Sequence, residues 1–283
     1  ASAADARATS PGPRRSSAGP GLRARPLRAG AAARPCGAGG GSREGGSHIA
    51  SRLSMTVIPL DDPLWSRLYG PYGVQDVPGD LHALRGGWTP AVAERLLWER
   101  LHHQGDLYPA TWAALPWLWE MREAGGEALA LFFATVLQGA RAPEGAAPGL
   151  RGLALDVAAH QRRWLPEEAR LRHADMPRLA ALGDAFERLG PHLDRRCLEM
   201  AARTDDAYLR IALLAGCAAW RGSPTLAEAL ELHADGLAPE EVAEEIPEPD
   251  AAERSLAFDL ARDVEAWAPD LAGFLRARAA TDS

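Results

Sequence analysis

His102, His103, Gln104, Asp106 and Tyr108 fall within seven positions of one another. Imidazole titrates near neutrality and a carboxylate can orient it, so His102 or His103 with Asp106 holds the elements of general acid–base chemistry. No GxSxG elbow marks a nucleophile to go with them. The chain has no lysine, which excludes Schiff-base chemistry, pyridoxal attachment and the phosphate-gripping lysine of a P-loop. Metal chemistry is equally unsupported. Neighbouring histidines on a helix point about 100° apart and do not clamp one ion. No HExxH or HxH pattern occurs, and His82, His160, His173, His192 and His233 stand alone. No cofactor and no metal are expected.

Polar groups gathered at a turn between helices are either caps or a recognition site. Trp112 and Trp119, seven apart, share a helix face, with Trp98 on the preceding helix. They read as core packing or as the lining of a binding groove. The candidate binding surface is therefore His102, His103, Gln104, Asp106, Tyr108 and Trp112.

The elements that must position these residues are helices. Leu outnumbers the β-branched aliphatics, with 38 Leu against 8 Val and 4 Ile, which disfavours sheet. Proline sits at an expected first helical position at Pro63, Pro90, Pro109, Pro166, Pro224, Pro239 and Pro269. Asp250 with Glu253 has the spacing of a capping box. Gly105, Gly125, Gly139, Gly222 and Gly236 fall where C-terminal caps belong. Between these marks the apolar spacing is helical, as in Leu129, Phe132, Phe133, Val136 and Leu137, or Val92, Leu96, Leu97 and Leu101. Strand is expected nowhere beyond Val57-Ile58. The spacing pairs the helices: 89–104 with 108–123, 126–139 with 148–161, and 206–221 with 224–235. Such pairs recur in helical-hairpin solenoids, although a compact non-repetitive helical domain fits the same pattern.

The run from Leu97-Trp98 through His103-Gln104-Gly105 and Tyr108-Pro109-Ala110-Thr111 to Leu118 resembles a segment of uncharacterised HEAT-repeat-like proteins of high-GC bacteria. Leu68-Tyr69-Gly70-Pro71-Tyr72-Gly73 with Val77-Pro78 is similar to what precedes it there, so the resemblance covers about residues 60–122. It implies an all-α fold, a short α-solenoid of HEAT-like hairpins. It carries over no catalytic residue, since such proteins mostly lack an assigned activity and some resemble immunity or adaptor proteins. Trp112, Trp117 and Trp119 depart from the smaller or different apolar groups expected there.

Charge divides the chain. Residues 1–54 carry nine Arg against Asp5 and Glu44, and Gly and Pro fill 15 of the 54 positions. With no aromatic residue and four large aliphatics, this segment is expected to be disordered. Transit peptide, native arm and upstream-derived sequence ahead of Met55 are its three readings. Residues 55–283 are expected to form the HEAT-like helical-repeat domain, with 22 Arg against 36 acids, a net charge of −14. Residues 237–253 add seven acids and no base. So acidic a body, with only the isolated pairs Arg162-Arg163 and Arg195-Arg196, argues against nucleic acid as a partner. The apolar runs Ala128–Leu137 and Ile211–Trp220 are about ten residues long, too short to span a bilayer. Cys36, Cys197 and Cys217 show neither disulfide nor zinc spacing, so a reducing cytoplasm is the default. The expected function is a non-catalytic scaffold binding another protein, an acidic immunity-type or adaptor protein with a basic partner. The alternative is an enzyme of unknown class using a His/Asp site at the 102–108 turn.

Overall fold

The computed structural model describes residues 57–103, 106–140 and 165–280, and these are mostly helical. The readings placed on residues 1–54, Cys36, Gln104, Gly105, a helix over 148–161 and Arg162-Arg163 lie outside them.

A 3-10 turn at Pro63–Ser66 leads to α1 (Val77–Gly86) and α2 (Pro90–Glu94), which continues into a π-helical turn at Arg95–Arg100. After it come α3 (Pro109–Glu120), α4 (Arg122–Ala140), α5 (Met176–Ala201), α6 (Ala207–Trp220) and α7 (Pro224–Ala234). The last three are α8 (Pro239–Glu245), α9 (Ala251–Val264) and α10 (Pro269–Ala279).

Most boundary signals act as their chemistry requires. Pro63, Pro90, Pro109, Pro224, Pro239 and Pro269 lie in first turns, where no N–H is needed. Gly222 (φ 98°) and Gly236 (φ 97°) take the left-handed conformation just beyond α6 and α7. Pro166 differs, preceding only a three-residue 3-10 turn at Glu167–Ala169. Gly125 and Gly139 fall within α4, whose break is at Gly126 (φ 49°).

The capping box is half-formed. Asp250 accepts from the Glu253 N–H at 2.8 Å. The Glu253 carboxylate turns away to the Arg278 guanidinium, 3.0 Å distant, and both side chains are buried. An ion pair across α9 and α10 has displaced a local cap.

The expectation of no strand beyond Val57-Ile58 is corrected. Val57-Ile58 is not a strand, and two short antiparallel ladders occur elsewhere. β1 (Tyr69–Gly70) pairs with β2 (Gly73–Val74), and β3 (His102–His103) pairs with β4 (Asp106–Leu107). The helix expected over 89–104 therefore ends at Arg100, and β3 begins two residues later.

The core centres on α6, which packs on α4, α5 and α7. Its apolar run is buried, as is that of α4. A Cβ on Gly216 would lie 2.6 Å from the Ala134 Cα, so glycine lets α6 and α4 approach closely. An aromatic relay joins three helices: Trp112 of α3 meets Phe186 of α5 at 4.6 Å, and Phe186 meets Trp220 of α6 at 5.5 Å. α6 and α7 form the expected neighbour pair. The expected pairing of 89–104 with 108–123 does not form, because α3 packs chiefly on α1, β1 and α5. No helix among the described residues is long and apolar enough to cross a membrane.

Removing one member of a buried ion pair strands the other charge, at about 3–5 kcal/mol. Glu253→Ala is expected to lower unfolding stability by that order in urea titrations. A loss below about 1 kcal/mol would show that the pair does not hold the C-terminal helices together.

Candidate functional site

The π-helical turn sets up the site. Its N–H of Leu101 reaches the Leu96 carbonyl at 3.0 Å, a five-residue step that absorbs one extra residue and ends the helix. Asp80, buried on α1, holds this turn by two arginines. Arg95 approaches it at 2.6 Å and Arg100 at 3.1 Å, and Arg100 also donates to the Asp76 carbonyl at 2.5 Å. On the other side, a Cβ on Gly70 would stand 2.0 Å from the Arg100 carbonyl oxygen. Only glycine lets β1 run against the end of this turn. The two hairpins are thereby pressed together.

Below them, Thr111 ties the second hairpin to α3. Its hydroxyl donates to the Leu101 carbonyl and accepts the Tyr108 N–H, the latter at 3.0 Å.

Strand geometry then separates the two histidines, since successive side chains point to opposite faces. His102 pairs across the ladder with Leu107 and faces inward, its ring edge-on to Trp98 with centroids 5.6 Å apart. Burial pushes its pKa down to about 4, with the neighbouring His103 adding to the effect. His102 is thus a neutral, inward-facing group near neutrality. His103 pairs with Asp106 and faces outward. Its Nδ1 lies 3.2 Å from the Tyr72 hydroxyl, and the two rings are 5.3 Å apart. Tyr72, at the tip of the first hairpin, is 64% exposed, and Asp106 is also exposed.

Tyr108 is buried edge-on against Tyr69, 6.3 Å between centroids, with Leu165 completing the cluster. Burial, then the Asp106 charge and Tyr72, push its phenol up to about 12. It remains a neutral hydroxyl at any physiological pH.

The structure brings His103, Asp106 and Tyr72 to one outer face and withdraws His102 and Tyr108 beneath it. Gln104 lies outside the described residues. Trp112 is corrected as a surface residue: it is 3% exposed and belongs to the aromatic relay with Phe186. The placement of His102 and His103 on a helix is corrected too, because β3 directs their rings to opposite sides. No group of three or more potential metal ligands occurs among the described residues. Sequence reasoning missed Tyr72, the most exposed aromatic of the site, and the anchor Asp80. Tyr69-Gly70-Pro71-Tyr72-Gly73 carried the signal for the first: glycine and proline between aromatics mark a turn with a side chain at its tip.

No family model matches the chain, and neither a curated protein nor a solved structure does.

A histidine whose folded pKa is lowered contributes its full stability above the unfolded value, and loses it as pH falls towards the folded one. For His102 that window runs from 6.5 to about 4. The contribution lost by pH 4 is about 3 kcal/mol. His102→Gln should remove this part of the acid sensitivity, measured as the change in urea-unfolding free energy between pH 7 and pH 4.5. Equal losses in wild type and variant would show that His102 does not govern it.

Proposed function

We propose that the chain is a non-catalytic protein-interaction module. In this reading the α6–α7 and α9–α10 hairpins, each joined by a short connection, are units of a short HEAT-like solenoid. The hairpin-bearing edge around His103, Asp106 and Tyr72 contacts another protein. More particularly, the module is a cytoplasmic adaptor or immunity-type protein whose partner is basic.

The observation that carries this reading is the Tyr72–His103 pair. An aromatic residue so exposed, held in place by a hydrogen bond and fixed on two braced hairpins, is built like an interface anchor. Tyrosine offers a large contact area at little entropic cost. The net charge of −14 over residues 55–283 supports a basic partner through steering and complementary potential. It also stands against nucleic acid, whose phosphates such a surface repels.

A second reading is favoured by the ladder register, which sets Asp106 opposite His103. A carboxylate beside an outward-facing imidazole is the arrangement for acid–base catalysis by an enzyme of unknown class.

A partner recovered by crosslinking from the native cell provides the test. Tyr72→Ala and His103→Ala should each weaken its binding by about tenfold or more, with thermal melting unchanged. Raising salt from low to high should weaken wild-type binding. Unaltered affinity in both variants would remove this face from the argument, and salt-insensitive binding would remove the basic partner. Retained binding with a turnover lost in His103→Gln would favour the enzyme.

A further inference from the structure

A second face of the molecule uses none of the hairpin residues. Between α8 and α10 lies a cleft of about 210 Å³, lined by Pro239, Glu240, Val242, Ala243, Phe274, Ala277 and Arg278. It falls below the roughly 300–1,000 Å³ of small-molecule pockets, so it suits inserted side chains rather than a free ligand.

Its walls are apolar and its ridges low. Val242 and Phe274 form the buried floor, while Ala243 and Ala277 are exposed on the two flanking helices. Small side chains on facing ridges let a third helix come close. Above them stand exposed acids: Glu240 and Glu244 share the α8 face with Ala243, and Glu241, Glu245 and Glu248 continue the charge. The cation at the cleft is already answered. Arg278 is paired with Glu253 and donates to the Pro247 carbonyl at 2.5 Å.

We infer that the α8–α10 cleft is a docking groove for a basic amphipathic helix, with apolar residues lying over the Val242–Phe274 floor between Ala243 and Ala277 and arginine or lysine meeting Glu240 and Glu244. The inference rests on the reading of the chain as an interaction module and names a separate surface for it. An apolar slot rimmed on one side by acids selects a helix that is apolar on one face and cationic on the other.

The experiment titrates the full chain into a labelled Leu/Arg amphipathic helical peptide and follows fluorescence anisotropy. The comparison peptide is residues 14–28 of this chain, which carry five Arg and no acid but lack an apolar face. The amphipathic peptide should bind, and the comparison peptide should bind at least about tenfold more weakly. Glu240→Gln/Glu244→Gln should weaken the amphipathic peptide by about tenfold. Ala277→Trp, an exposed position, should abolish its binding while leaving the thermal melt unchanged. Tyr72→Ala should leave its affinity untouched, which separates this groove from the hairpin face. Equal binding of the two peptides would reduce the attraction to bulk charge and overturn the proposal. Wild-type affinity in Ala277→Trp would do the same. A wild-type dimer by sedimentation that becomes monomeric in Ala277→Trp would assign the groove to a second copy of the chain instead.

Discussion

The buried carboxylate of Asp80 is the constraint on which the candidate site depends. It receives Arg95 and Arg100 from the two ends of the π-helical turn and fixes that turn against α1. Arg95 stands before the five-residue step and Arg100 after it. A regular helix would turn Arg100 to a different side from Arg95, whereas the wider turn lets both meet one carboxylate. The glycine at position 70 completes the effect by letting a neighbouring strand rest on the Arg100 carbonyl. These two contacts lie beneath the exposed face, and the ladder and Thr111 then set which side chains it shows.

This explains what was legible in the sequence and what was not. Proline at first turns, glycine beyond α6 and α7, and the apolar stripes of α4 and α6 are local signals, and the helices formed where they pointed. The stripe Val92, Leu96, Leu97 and Leu101 was equally regular, yet it concealed a π-helical turn. All four residues contribute to the apolar core even so, and hydrophobic spacing alone cannot report the one-residue slip. The partner that meets the slipped turn, Asp80, lies on another element, which spacing does not reveal. The site was legible in the same measure. The concentration of polar groups at 102–108 was visible, but which of them faced outward depended on a strand that no local pattern announced. Trp112 shows the converse. Its face could be read from spacing, whereas its burial required α5 and Phe186.

Charge is distributed with similar economy. The acids that matter to architecture, Asp80, Asp175 and Glu253, are buried and each meets an arginine. Those on α8 and just beyond it are left in solvent. A chain without lysine makes every internal ion pair with guanidinium, whose planar fork suits two-point contact with a carboxylate, as at Arg67 and Asp175, where two bonds of 2.8 Å form. The surface acidity is the remainder after these internal pairs are satisfied.

Glu253 and Arg278 also make the two C-terminal helices depend on each other. The carboxylate and its guanidinium partner lie 25 residues apart in the chain, one on α9 and one on α10, and both are buried. Either helix packed without the other would hold a charge in the core with no counter-ion. Neither is a stable unit alone, so this end of the protein opens and closes as a pair of helices rather than one helix at a time.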